Sequence, residues 1–387
     1  MLKSTTLSII VGIDASNLRS GGGVTHLIEL LREAKPENHG ISRVIVWGGQ
    51  KTLNLLDDRK WLVKINPPAL NSGLMKRTFW QSFKLSESAK KSKCDVVFVP
   101  GGAYAGSFRP FVTMSRNMLP FEWEELRRYG FSLTFFRYLV LRWVQSRTFC
   151  LAEGLVFLTN YAKDTISLLH NNIKSKKIVI PHGINKRFQL QSKRQLPISE
   201  YSYSRPYKLL YVSIVNLYKH QWHVLEAVSY LRREGLPVFL DLVGPAHPSS
   251  LFRLREMLAQ LDPYEKWVSY HGAIPYTELH KMYRQADLGI FASSCENMPN
   301  ILLENMAAAL PVACSNRGPM PEILGDGGIY FDPEQPEDIA KALRNLIYSP
   351  DLRTRKIQIS SAKAMQYSWK RCSHDTFAFL SKVARQL

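Results

Sequence analysis

The chain has 387 residues, too many for one compact core and well suited to two domains of ordinary size. Its composition, 45% hydrophobic and 21% charged with no low-complexity tract, is that of a folded protein and excludes a disordered or fibrous chain. Five scattered cysteines favour reduced thiols over a disulfide framework or a zinc knuckle, and a net charge of +19 points to an anionic partner.

That charge is uneven. Through Arg187 there are 28 Lys and Arg against 13 Asp and Glu, whereas the remaining 200 residues hold 23 against 19. The first half is therefore expected to face a phospholipid surface, a lipid diphosphate or nucleic acid. The N-terminus lacks the basic and apolar regions of a signal peptide, so no leader is expected. No apolar run reaches the roughly 20 residues a spanning helix needs. The nearest candidate, Phe131 to Phe149, is interrupted by Arg137, Arg142 and Arg147.

In chain order, buried strands are predicted at Leu7–Ile13, Val44–Trp47, Val96–Val99, Phe111–Met114, Leu155–Leu158 and Ile178–Ile180. A helix is expected to open at about Val24, behind the loop Gly21-Gly22-Gly23. Glycines there let the backbone approach a ligand, but the third glycine of a dinucleotide fingerprint is missing, since position 26 is His26. Two stretches interleave basic and aromatic residues: Lys76–Lys84, and Arg127 to Arg147 with Phe131, Phe135, Phe136, Tyr138 and Trp143. Such helices either lie in a membrane interface or bury an ordinary core face. The polar stretch 188–207 reads as an interdomain linker. Beyond it, strands are predicted at Leu209–Ile214, Phe239–Val243, Val268–Tyr270, Leu288–Phe291, Pro311–Cys314 and Ile329–Phe331, with helices at Trp222–Arg233 and Pro336–Ile347.

Strands alternating with helices in both halves predict two doubly wound α/β domains, 1–187 and 208–369, with a C-terminal helix at about 370–387 returning to the first. A ligand cleft is expected outside the carboxyl ends of their strands.

The most informative segment is Ser293–Ser315. A strand leads into a loop holding Glu296, and a helix expected to run from about Pro299 through Ala309 carries Glu304 eight residues on. The leading amides of a helix favour an anion, while carboxylates accept hydroxyl groups. A diphosphate flanked by two polyols fits those parts, which is to say a nucleotide sugar.

This segment resembles the Glu-x7-Glu signature of family 4 glycosyltransferases, with the tail Glu304-Asn305-Met306-Ala307-Ala308-Ala309-Leu310-Pro311-Val312 in place of the usual Glu-Ala-Met-Ala-x-Gly-x-Pro-Val. Ile180–Asn185, Leu209–Ser213 with Lys219, Tyr270-His271-Gly272 and Tyr283–Asp287 resemble further family segments in order, over most of Lys177–Asp332. The resemblance implies a GT-B fold, two Rossmann-like domains facing each other across a deep cleft, and sugar transfer with retention. It implies that Glu304 holds the ribose, Glu296 the donor sugar and Lys219 the leaving diphosphate. His271, Ala273 and Ile274 would contact the base. Where the family commonly reads Glu-x-Phe-Gly, this chain has Glu296-Asn297-Met298-Pro299, and Pro299 offers no amide, so an Asn297 or Asn300 side chain would take over donor contacts beside Met298 and Ile301. Gly21, Gly22 and Gly23 would let the backbone approach the diphosphate or the acceptor.

Two further departures stand out. Ile214 occupies the position of the family's second phosphate cation, so charge stabilisation falls to Lys219, the helix N-terminus and His220. After Phe111–Met114 many relatives carry a histidine, whereas this chain has Ser115-Arg116-Asn117, making Arg116 a candidate for the reacting centre. Neither Asp-x-Asp nor a metal-spaced His and carboxylate cluster is present, so a metal-independent reaction without cofactor is expected. The expected donor is a UDP- or GDP-sugar and the acceptor a glycan or polyprenyl-diphosphate-linked saccharide of bacterial surface polysaccharide assembly, handled by a cytoplasmic protein docked on the anionic inner face of the plasma membrane. A nucleotide-sugar epimerase of the same architecture is an alternative. So is a basic nucleic-acid-binding protein, although no recognition motif for nucleic acid supports it.

Overall fold

The computed structural model describes residues 8–170 and 173–386. It divides into two compact units, one comprising Met1–Phe121, Phe131–Gly183 and Ser368–Leu387, the other Glu122–Gly130 and Ile184–Tyr367.

The first unit is built on a seven-stranded parallel sheet: β1 (Ile9–Ala15), β2 (Ile41–Gly48), β3 (Leu62–Ile65), β4 (Val96–Val99), β5 (Phe111–Met114), β6 (Gly154–Phe157) and β7 (Lys176–Val179), in the order β3-β2-β1-β4-β5-β6-β7. The second carries six parallel strands: β8 (Tyr207–Val212), β9 (Val238–Val243), β10 (Val268–Tyr270), β11 (Leu288–Phe291), β12 (Val312–Ser315) and β13 (Ile329–Phe331), in the order β10-β9-β8-β11-β12-β13. Both sheets are doubly wound, and in each the order reverses beside the first strand, between β1 and β4 and between β8 and β11. Ligands bind outside the carboxyl ends of strands at such a switch point.

Central strands read as unbroken apolar runs because helices cover both faces. Val96–Val99 and Leu288–Phe291 are buried at every residue, and both lie where the sequence predicts them. Each fully buried large side chain contributes on the order of 1.5–3 kcal/mol. Leu7 lies outside the described residues, and the strand predicted there runs Ile9–Ala15. β3 has no counterpart in the prediction. It is a four-residue edge strand, buried at none of its positions, and so lacks an apolar signature.

Four boundaries differ from those expected. The stretch 188–207 is not a free linker, because it is fastened to the second unit: Leu190 N–H donates to Ala307 C=O at 3.1 Å, Lys193 Nζ to Ala286 C=O at 2.7 Å, and the buried Arg353 guanidinium to Gln195 Oε1 at 2.8 Å and to Leu196 C=O. Residues 122–130, expected in the first domain, belong to the second unit. There Arg128 forks onto Glu334 (2.7 and 3.0 Å) and onto Glu125, and Tyr129 Oη donates to Asn216 Oδ1 at 3.0 Å. The continuous amphipathic stretch expected from Arg127 to Arg147 is consequently broken: Gly130 takes φ +55° and the helix proper spans Leu133–Leu151.

The helix carrying Glu304 spans Asn300–Ala307, shorter than expected. It stops because Ala309 adopts φ +54°, the left-handed region that glycine occupies without strain. The C-terminal helix Trp369–Ala384 belongs to the first unit, where Ser373 Oγ donates to Leu30 C=O at 2.9 Å and Ser381 Oγ to His39 C=O at 2.8 Å.

Candidate functional site

In the second unit the loops leaving β8 and β11 meet at the switch point. The β8 loop turns through Leu217–Lys219, and Tyr211 Oη holds that turn by donating to Lys219 C=O at 2.6 Å. Ser294 N–H, from the β11 loop, donates to Tyr218 C=O at 2.9 Å and ties the two loops together. The outcome is an ion pair between Lys219 Nζ and Glu296 Oε1, both largely withdrawn from water. Lys219 also lies over the Tyr218 and Phe291 rings, at 5.0 and 5.5 Å from their centroids. A lysine and a carboxylate 77 positions apart thus neutralise each other where a charged, hydroxyl-rich ligand could replace either partner.

His220, at φ +52°, caps the Gln221–Arg233 helix and hydrogen-bonds Ser294 Oγ through Nε2 at 2.9 Å. Burial, and then the charge of Arg128, push its pKa down to about 3. The ring is therefore neutral at physiological pH and supplies no positive charge, contrary to the part expected of it; what it does is hold the Ser294 loop. Ile214 is partly exposed, so nothing at that position adds a cation.

Beyond Glu296, Asn297 and Met298 are buried, while Asn300 and Ile301 at the helix start are half-buried. Pro299 takes the cap position, so the helix begins one residue later than the sequence suggests. Glu304 is buried, at 2% exposure, and accepts a hydrogen bond from Tyr283 Oη at 2.9 Å on Oε2. Burial raises its pKa to about 7, against the lowering effect of the Tyr283 and Tyr276 hydroxyls and the Arg187 charge. Those three residues are absent from the sequence-based site. In the sequence Tyr283 stands out only as part of the Tyr283–Asp287 segment, and nothing in its spacing says that its hydroxyl reaches a carboxylate 21 residues on.

The departure at Asn305, where the family has alanine, has a steric counterpart. Asn305 Nδ2 donates to Ile301 C=O at 2.9 Å, and its amide fills the space over Gly289 of β11, where an added Cβ would stand 1.9 Å from Oδ1. After β10, the His271 ring is engaged with Asp241 Oδ1 at 2.7 Å and its amide with Leu242 C=O at 2.9 Å. Ala273 is exposed and Ile274 half-exposed in the loop that follows.

In the first unit, Gly21 (φ +66°) opens the Gly22–Arg32 helix after β1, and Arg116 follows β5. These two expected elements do converge. The guanidinium lies so close over the glycines that a Cβ on Gly23 would come within 2.8 Å of Arg116 Nη1. Arg116 Nε is buried without a hydrogen-bond partner, and burial lowers the pKa to about 10. Neighbouring Asn117 is spent locally, accepting from Leu119 N–H at 3.1 Å. Beneath the loop His26 is buried, neither ring nitrogen bonded, its ring 4.8 Å from that of His182 and 5.9 Å from that of Trp369.

Among the described residues no three His, Cys, Asp or Glu side chains gather as a metal site, and no helix is long and apolar enough to cross a membrane. The two basic aromatic stretches split their large side chains: Trp80 and Phe135 are buried, while others face outward. Met75, Phe79 and Phe83 on the Leu74–Phe83 helix are exposed, as are Leu133, Phe136, Val140 and Trp143 on Leu133–Leu151 and Phe131 just before it (93% exposed).

The family model described as "Glycosyl transferases group 1" matches residues 192–363, inside the second unit. Residues 192–363 are a group 1 glycosyltransferase domain. The O-antigen chain mannosyltransferase B of Escherichia coli is 30% identical over 112 residues, 29% of this chain and 29% of that protein, so the chain spans under a third of the relative it matches. Among solved structures, Anabaena Alr3699/HepE in complex with UDP superposes with a TM-score of 0.68 at 16% identity, over 97% of this chain and 100% of that one. WaaG, a glycosyltransferase involved in lipopolysaccharide biosynthesis, superposes with a TM-score of 0.68 at 16% identity, over 96% and 99%. The group 1 domain therefore sits in a chain of GT-B fold, with the paired Lys219 and Glu296 at its switch point.

Proposed function

We propose that the chain is a retaining, metal-independent hexosyltransferase of family 4 that moves a sugar from a UDP- or GDP-sugar to a glycan or polyprenyl-diphosphate-linked acceptor in surface polysaccharide synthesis, of the O-antigen or exopolysaccharide type. The observation that carries it is the Lys219–Glu296 pair at the β8/β11 switch point, followed by Glu304 on the next helix. In this reading Glu304 takes the ribose hydroxyls and Glu296 those of the donor sugar. Lys219, released from Glu296, turns to the diphosphate with the leading amides of the Asn300–Ala307 helix. The bond from the sugar's anomeric carbon to the β-phosphate oxygen breaks, the acceptor oxygen bonds to that carbon on the same face, and the acceptor proton passes to the leaving phosphate.

Two further features support parts of this reading. Arg116 over Gly22 and Gly23 offers a cation and close backbone approach for an anionic group of either substrate. The exposed aromatic and basic side chains of Leu74–Phe83 and Leu133–Leu151, Lys76, Arg137 and Arg147 among them, suit a cytoplasmic protein resting on an anionic leaflet.

Calorimetric titration of UDP, GDP, ADP and CMP in EDTA, on wild type and Glu304→Ala, tests the donor site. One nucleoside diphosphate is expected to bind in chelator, and Glu304→Ala to weaken it at least tenfold. If none binds, Glu304 and Glu296 do not form a nucleotide site.

A further inference from the structure

Two tyrosines address the buried Glu304 carboxylate of the second unit, and they differ in how water reaches them. Tyr283 is fully buried, its ring edge-on to Phe188 (5.6 Å, 90°), and its hydroxyl donates to Glu304 Oε2 at 2.9 Å. Tyr276 stands on the loop after β10, 39% exposed, with its ring 5.3 Å from Phe188 and beneath the Arg187 guanidinium at 5.4 Å. Its hydroxyl lies near enough to Glu304 to help hold the carboxyl pKa down, as that of Tyr283 does. Loop and helix thus meet at Glu304 through two phenols, one walled in and one open to solvent.

We propose that Tyr283 is a positioning residue for the donor nucleoside and Tyr276 an exchangeable stand-in, whose hydroxyl leaves Glu304 when the ribose hydroxyls of a nucleoside diphosphate arrive. The proposal rests on Glu304 as the ribose acceptor. An ionised carboxylate offers about four lone-pair sites and no donor, so trading a phenol for a ribose hydroxyl conserves its hydrogen bonds. The phenol that moves must be the one with somewhere to go, which is Tyr276. Tyr283 cannot leave its enclosure, so it keeps Oε2 oriented in both states. After the exchange the Tyr276 ring, still backed by Phe188 and Arg187, offers a flat apolar face beside the nucleoside.

A pH dependence follows. Glu304 must be ionised to accept two ribose hydroxyls, and the groups facing it are Tyr283, Tyr276 and Arg187. The Tyr283 hydroxyl stays protonated, its pKa raised by burial and by the Glu304 charge. Affinity is therefore expected to rise with pH through about 7 and to level off above it.

The experiment is titration of UDP and GDP against the full chain at about pH 6, 7 and 8.5, for wild type, Tyr283→Phe, Tyr276→Phe and Glu304→Ala. At the highest pH, with Glu304 ionised throughout, Tyr276→Phe is expected to bind roughly threefold to tenfold tighter, because a competing hydrogen bond is gone. Tyr283→Phe is expected to bind roughly fivefold to tenfold weaker at neutral pH and to shift the midpoint of the pH profile upward, a shift that loss of packing alone does not produce. Equal or weaker binding by Tyr276→Phe, or an unmoved midpoint in Tyr283→Phe, overturns the exchange while leaving the nucleotide site standing. Unchanged binding in Glu304→Ala overturns the site itself and the exchange with it. If Tyr283→Phe fails to fold, the sign of the Tyr276→Phe effect decides.

Discussion

In the second unit the ionisable groups of the candidate site satisfy one another: Lys219 is paired with Glu296, Glu304 with Tyr283, and His220 with Ser294. In the first unit, on a sheet of the same winding, Arg116 keeps a buried nitrogen without a partner and His26 keeps two. A buried polar group left unbonded costs on the order of 1–3 kcal/mol, so a fold retains one only where some other state fills it or selection outweighs the cost. The two regions therefore present ligand chemistry in opposite ways. A ligand of the second unit must exchange with hydrogen bonds already made, which favours binding that is specific and linked to pH. A ligand of the first unit would complete bonds that are missing.

The sharpest test of this contrast is to break the pair. Lys219→Met leaves Glu296 in a mostly buried position without its cation and is expected to cost about 3–5 kcal/mol in urea unfolding. Adding Glu296→Gln is expected to restore most of that loss, though not transfer activity. An unfolding midpoint that does not recover in the double variant would show that the pair is not self-contained.

Next in size is the effect of pH on Glu304. Its carboxyl pKa is raised, from 4.5 to about 7, so the native state binds more protons than the unfolded chain between those values. Its stabilising contribution is complete below about 4.5 and is lost as pH rises through about 7, on the order of 1–3 kcal/mol. Thermal melts of wild type and Glu304→Gln across this window check it: the variant is expected to fall less in melting temperature from acid to neutral pH. Nucleotide affinity is expected to move in the opposite direction, because the carboxylate proposed to bind is the one whose ionisation costs the domain stability.

Arg116→Met is the counterpart in the first unit. Replacing an incompletely bonded guanidinium with an apolar side chain of similar length is expected to leave stability unchanged or to raise it by about 1 kcal/mol, while transfer activity falls by two orders of magnitude or more. A stability loss beyond about 2 kcal/mol would mean that Arg116 is satisfied in a way that makes the two units alike. The smallest effect belongs to Ala309→Gly, which relieves a left-handed φ and is expected to add about 0.5–1 kcal/mol without touching nucleotide binding, as denaturant midpoints and titration can verify.

Much of this was legible in the sequence. The doubly wound class, most of the central strands and the segment holding Glu296 and Glu304 follow from apolar runs of strand length alternating with helical periodicity, because a strand buried on both faces must be apolar throughout. Gly289 and Asn305 could also have been paired by eye, as an enlarged residue on the helix opposite a missing side chain on the strand, had the register between helix and sheet been known. The edge strand β3 and the break at Gly130 carry no such pattern, since neither is decided by burial of one face.

Taken alone, the sequence determined which residues must be inside and which loops follow which strands, and it singled out Lys219, Glu296, Glu304, Arg116 and the Gly21–Gly23 loop as candidates for the chemistry. Only the tertiary structure decided who meets whom: Lys219 with Glu296 across 77 residues, Tyr283 and Tyr276 on Glu304, Arg116 over Gly23, and residues 122–130 and 188–207 on the second unit. The reason is physical. Burial and periodicity are local properties that each segment records in its own residues, whereas a hydrogen bond or ion pair is a property of two segments, written in neither until the sheet order brings them together.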